Sequence, residues 1–114
     1  MKSLVSILRN VTLHIQLATE FGNFLADGEK AAAFRFSRID PFVHSHDQIV
    51  LDFEGVRNMN SSYANALIAN LISQSPEVLP KLHFANCNSR IRVSIESALA
   101  LGVERLRQKR FEVA

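Results

Sequence analysis

The chain has 114 residues, 47% of them hydrophobic, and a formal net charge of only +2. That is one compact domain with enough apolar material for a core, and it is far from the charge blocks of a dedicated nucleic-acid arm. No apolar run reaches the roughly 18 residues of a membrane-spanning helix, the start lacks a small-residue cleavage pattern, and the single cysteine, Cys87, has no partner for an internal disulfide. The expectation is a soluble, cytoplasmic domain spanning 1–114, with Cys87 a packed thiol rather than a nucleophile.

Near the start, Val11-Thr12-Leu13-His14-Ile15-Gln16-Leu17 alternates apolar and polar residues at period two, as a half-buried strand does. Leu4 to Leu8 suggests a strand before it, with Arg9-Asn10 as the turn. Phe21 to Gly28 carries turn residues, and Glu29 to Ile39 then reads as a helix that Pro41 ends, with Ala31 and Phe34 toward the core. His44-Ser45-His46-Asp47 is a polar connection. Its two histidines lack the further Cys, His or Glu at zinc spacing, so no metal site is expected.

Gln48 to Phe53 is apolar on both faces apart from Asp52, which predicts a strand buried on both sides of a parallel or mixed sheet. Asp52 and Glu54 make no obvious acid/base pair, and Asp52 is expected to accept hydrogen bonds from loop amides near the serines that follow. Ser61 to Ser75 forms the next helix, with Ala64, Leu67, Ile68, Leu71 and Ile72 on one side and Ser62, Asn65, Ala69 and Ser73 on the other. From Asn58 through Pro76 there is no charged residue. A face of small neutral side chains allows close approach, either by a partner protein or by another part of the same chain.

Lys81 to Ala85 reads as another strand. Asn88 or Ser89 caps the last helix, whose buried stripe is Ile91, Ile95, Ala98 and Leu99 and whose C-terminal cap is Gly102. Val103 to Ala114 fits a short additional helix, a closing strand or a frayed tail. Six basic residues, Arg90, Arg92, Arg105, Arg107, Lys109 and Arg110, make this end locally basic against Glu96 and Glu104.

Alternating strands and helices give an α/β class, with helices packed against a central sheet. Ile49 to Val56, the Ser61-Ser62 pair, the strand ending at Ala85 and the segment Leu99-Ala100-Leu101-Gly102-Val103 together resemble the STAS fold, named for sulphate transporters and anti-sigma-factor antagonists. With Tyr63 after the serine pair and a glycine-containing stretch from Phe21 to Asp40, the chain is still more similar to the STAS-like family of unknown function, over about residues 11–103. The resemblance implies a mixed central sheet of about four strands. It also departs from the antagonists: Asn60 replaces their Asp before the serines, Tyr63 replaces their Gly after them, and Asn65 and Ala66 stand where STAS-like members often carry acidic residues.

A serine at a helix N-terminus has two compatible uses. It caps the helix for about 1 kcal/mol, or it accepts a phosphate that the free amides and the dipole of the helix stabilise. The first reading is therefore a non-catalytic regulatory domain, phosphorylated at Ser61 or Ser62, that docks a partner through Asn58, Asn60, Ser61, Ser62, Tyr63, Asn65 and Ala69. By resemblance, that partner is a regulatory protein such as a histidine-kinase-like ATPase. The alternatives are a nucleic-acid module using the six basic residues and a structural homo-oligomer formed through the neutral helix. No Ser-His-Asp order, phosphate loop or dinucleotide fingerprint occurs, His14 and His83 read as sheet residues, and neither catalysis nor a cofactor is expected.

Overall fold

The structure, a computed structural model, describes the backbone of residues 11–113 and the side chains of residues 11–110. The strand expected over Leu4 to Leu8, with its Arg9-Asn10 turn, lies outside the described residues. The elements in chain order are β1 (Thr12–Gln16), α1 (Leu17–Phe21), β2 (Phe24–Leu25), α2 (Gly28–Arg38), β3 (Gln48–Asp52) and β4 (Asn58–Met59). A helical rod over 61–74 follows, made of α3 (Ser61–Ala64), a π-helical segment (Asn65–Ala69) and α4 (Asn70–Gln74). β5 (Leu82–Ala85) and the long α5 (Ser89–Val113) complete the described chain.

β1, β3 and β5 form one parallel sheet in that order, in register along rows such as Ile15–Leu51–Phe84. β2 and β4 form a separate parallel pair, Phe24 against Asn58 and Leu25 against Met59. The α/β class holds, and among the described residues the sheet has three parallel strands with a two-stranded annex, where about four strands in a mixed sheet were expected. Because the order β1-β3-β5 never reverses, successive crossovers stay on one side of the sheet. Leu13, Ile15, Ile49 and Leu51 therefore face the helices, while Thr12, His14, Gln48 and His83 face outward. This corrects the expectation for β3: Ile49 and Leu51 are fully buried, yet Gln48 is exposed and Val50 only partly covered.

α2 starts at Asp27, whose Oδ1 accepts the Glu29 and Lys30 amides at 3.0 and 3.2 Å. It gives Ala31, Phe34 and the unusual Arg35 to the interior, then stops ahead of Pro41, which opens a 3-10 turn over Asp40–Phe42. The 61–74 rod lies between α2 and α5 and buries Leu67, Ile68, Leu71 and Ile72 completely. Each such side chain contributes about 1.5–3 kcal/mol on burial. This placement explains the missing charges, since neither flank of the rod is a solvated face.

α5 begins as expected, with Asn88 Oδ1 accepting the Ile91 amide at 2.8 Å, but it does not end at Gly102. It runs on to Val113, so residues 103–113 are helix. Gly102 is buried, and a Cβ there would come within 3.0 Å of both the Ala69 carbonyl oxygen and Ile72 Cβ. Its task is close helix packing rather than termination.

Candidate docking site at the start of the 61–74 rod

The serine pair is positioned by the β2–β4 annex. The Arg57 amide donates to the Asn23 carbonyl at 2.7 Å and the Asn60 amide to the Leu25 carbonyl at 2.9 Å, which fixes the chain just before the turn. Asn60 is extended and makes two side-chain bonds: Oδ1 accepts the Tyr63 amide at 2.9 Å, and Nδ2 donates to the Ala26 carbonyl at 2.8 Å. Asn60 is thus the helix cap. Ser61 and Ser62 occupy the first two helical positions, are exposed, and their hydroxyls make no hydrogen bond to any described residue. The start of α2 lies against Ser62. A Cβ at Gly28 would collide with Ser62 Oγ and come within 3.0 Å of the Ser62 carbonyl oxygen, so glycine is what allows the two helix starts to meet.

The other residues expected at a docking face separate from this cluster. Tyr63 is buried, its ring edge-on to Phe21 with centroids 5.4 Å apart, and its hydroxyl has no hydrogen-bond partner among the described residues. Burial, with a smaller contribution from Glu20, pushes that hydroxyl well above its ordinary pKa. Ala69 is fully buried against α5, and Asn65 is half-buried. Tyr63 and Ala69 therefore belong to the interior, leaving Asn60, Ser61 and Ser62 exposed with half-buried Asn58 beside them. One contributor was not visible in the linear sequence: Arg90 Nη1, from the first turn of α5, donates to Asn58 Oδ1 at 3.3 Å and places a guanidinium next to this turn. No local signal links positions 58 and 90, which only the tertiary fold joins.

The six basic residues do not form one patch. Arg90 and Arg92 sit at the start of α5, about 20 Å along the helix from Arg105 at 1.5 Å per residue. Of the far group, Arg105 donates to Asn70 Oδ1, Lys109 Nζ donates to the Ser73 carbonyl at 2.9 Å, and Arg107 lies 3.4 Å from Glu104. Two of these cations thus face the rod, where they satisfy polar groups near its C-terminal end.

A second polar cluster stands at the carboxyl end of the sheet. Asp52 is 4% exposed and accepts hydrogen bonds from Asn86 Nδ2 at 2.9 Å, the Glu54 amide at 3.0 Å and His14 Nε2 at 2.8 Å. Those partners, Asn86 first, hold its carboxyl below the usual carboxylate range. One loop amide is among them, but none near the serines, which corrects that expectation. Asn86 itself has φ 56°, a left-handed conformation that asparagine tolerates better than most residues. His14 and His83 are exposed sheet residues, and His44 lies 3.4 Å from Glu77 in the loop region. Among the described residues no three His, Cys, Asp or Glu side chains are grouped to hold a metal. Cys87 is half-buried with its thiol pushed up mainly by burial, as a packed thiol should be. No described helix is long and apolar enough to cross a membrane.

Compared with known proteins, the chain matches none of the curated proteins and none of the solved structures. A family model does match, the STAS-like domain of unknown function (DUF4325), over residues 30–92. The matched span covers more than half of the chain and takes in α2 from residue 30 on, β3, the serine turn, the rod and β5. The chain belongs to this STAS-like family.

Proposed function

We propose that this protein is a non-catalytic regulatory domain that docks a partner protein at the start of the 61–74 rod and is switched by phosphorylation of Ser61 or Ser62. The observation that carries the reading is the division of labour at the turn: Asn60 supplies the cap, so the serine hydroxyls are exposed and uncommitted. A phosphoserine adds about −1.5 to −2 charge at neutral pH. At the first helical positions it meets free amides and the positive end of the dipole, so it is tolerated without unfolding the helix. The rod itself carries no charge from Asn58 through Pro76, so a phosphate adds a dianion to it beside the Arg90 guanidinium and changes which partner can pack there. By its resemblance to the antagonists, the partner is a regulatory protein such as a histidine-kinase-like ATPase, and any ATP hydrolysis belongs to that partner. The domain acts in the cytoplasm.

The nucleic-acid alternative has less support, because its six basic residues fall into two separated groups and two of the far group contact the rod. The homo-oligomer built on the neutral helix loses most of its surface to α2 and α5. Recovery of partners from the source cell with wild type, Ser61→Ala and Ser61→Asp, combined with intact-mass analysis, tests the reading. The expected result is a phosphorylated mass in the wild type and loss of the partner with Ser61→Asp alone. Identical partners for all three variants, with no phosphorylated mass, would contradict it.

A further inference from the structure

The serine turn makes no use of the buried carboxylate at the end of β3. Asp52 Oδ1 is taken by Asn86 Nδ2 at 2.9 Å and the Glu54 amide at 3.0 Å, and these donors help keep the group ionised. Oδ2 is left for an imidazole: His14 Nε2 lies 2.8 Å away, on a side chain that is 53% exposed. A carboxylate can only accept, so this bond fixes the proton of neutral His14 on Nε2 and leaves the lone pair on Nδ1. Nδ1 makes no hydrogen bond to any described residue.

The other three histidines lack this arrangement. His83 shares the cross-strand row of His14 through Val50 and is exposed on the same face of the sheet, but it has no carboxylate partner among the described residues. His46 Nδ1 is 2.9 Å from Ser45 Oγ, so its ring is bonded to a hydroxyl instead. His44 stands 3.4 Å from Glu77, beyond the usual hydrogen-bond length, and both side chains are exposed. His14 alone combines a buried, fixed carboxylate on one ring nitrogen with an open second nitrogen. It also lines an open cleft of about 360 Å³, where the charge of Arg38 is offset by Glu20 at 2.9 Å.

We propose that His14 is a phosphoryl-acceptor site, taking a phosphoryl group on Nδ1 from a small donor with a P–N bond. The Nδ1 lone pair attacks phosphorus, the donor's P–N bond breaks, and the donor nitrogen, already protonated, leaves as a neutral amine with the bonding pair. The ring becomes an N-phosphorylated imidazolium that keeps its Nε2 proton. Asp52 is the positioning residue: it holds the reactive tautomer and neutralises the positive charge that develops on the ring. One P–N bond replaces another, so the step needs no oxidant, reductant or further reactant. The product is charged and stays in the open cleft, where water solvates it. The proposal does not depend on the serine switch.

The test is incubation of the protein with phosphoramidate at neutral pH, with peptide mass spectrometry to time the modification of each histidine and phosphorus NMR to identify the nitrogen modified. His14 should react at Nδ1 about tenfold faster than His83, the factor that one charge-assisted hydrogen bond supplies. Asp52→Asn should remove that advantage, slowing His14 about tenfold and leaving the rate at His83 unchanged. The comparison within the wild type needs no variant, so it decides even where Asp52→Asn fails to fold. The proposal is overturned by His14 reacting no faster than His83, by modification of His14 at Nε2, or by an unchanged His14 rate in folded Asp52→Asn.

Discussion

The two ends of the 61–74 rod differ more than their shared lack of charge suggests. At the N-terminal end, one asparagine does the capping, and the two exposed serines make no side-chain hydrogen bond to the described residues, with the Ser62 hydroxyl resting against Gly28. Toward the C-terminal end, three cations from other helices converge: Arg35 donates to the Ala66 carbonyl at 3.1 Å and to Gln74 Oε1 at 3.1 Å, Lys109 takes the Ser73 carbonyl, and Arg105 takes Asn70. Of these acceptors the Ser73 carbonyl belongs to the last turn, where unpaired carbonyls attract cations, while the Ala66 carbonyl and the Asn70 and Gln74 side chains tie the middle and end of the rod to α2 and α5 and leave its start without such ties. A docking turn can then be remodelled without disturbing the packing that holds the rod.

The sharpest way to break this contrast is at Arg35, which is buried and also pairs with Asp40 at 2.8 Å. Arg35→Met should cost about 3 kcal/mol in denaturant unfolding, because it strands a partly buried carboxylate and two acceptors on the rod. Arg35→Lys should recover little, since an ammonium cannot reproduce the guanidinium's spread of donors. Next comes Gly102→Ala. Alanine is the better helix former by about 1 kcal/mol, but overpacking costs about 1–3 kcal/mol and the Ala69 carbonyl is backbone that cannot rotate away. A net loss is expected in the same unfolding assay; a gain would mean that α5 and the rod are less tightly apposed than described.

The sheet offers a pH-dependent comparison with the serine turn. The folded-state pKa of Asp52 lies below its unfolded value, so its contribution is fully present above the unfolded value, near about pH 4, and is lost as pH falls through the folded one. Asp52→Asn should therefore flatten the acid limb of a stability-against-pH curve, whereas Ser61→Ala should leave its shape unchanged.

Much of this architecture could be read from the residues alone. The alternation at 12–16 marks β1, the turn residues through Gly28 and Pro41 bracket α2, and the apolar run before Asp52 marks β3. What escaped reading has physical causes. The run at 48–53 looks buried on both sides because Val50 is apolar, yet the unidirectional strand order leaves that face open. Gly102 looks like a stop because a glycine can end a helix, but here it makes room for one. α1 and the two-residue strands are too short to show a period. The π-helical segment has no side-chain signature of its own. At the candidate site the serine pair was legible, whereas the burial of Tyr63 and Ala69 and the approach of Arg90 depend on contacts between elements distant in sequence.

The central claim, that the cap and the exposed hydroxyls are separate residues, has a direct measurement. Equilibrium unfolding of Asn60→Ala and Ser61→Ala should give unequal losses: about 1–2 kcal/mol for Asn60, which forfeits the Tyr63 and Ala26 bonds, and within about 0.5 kcal/mol of wild type for Ser61. Equal losses, or a larger one at Ser61, would show the serine to be committed to the helix and would contradict the account.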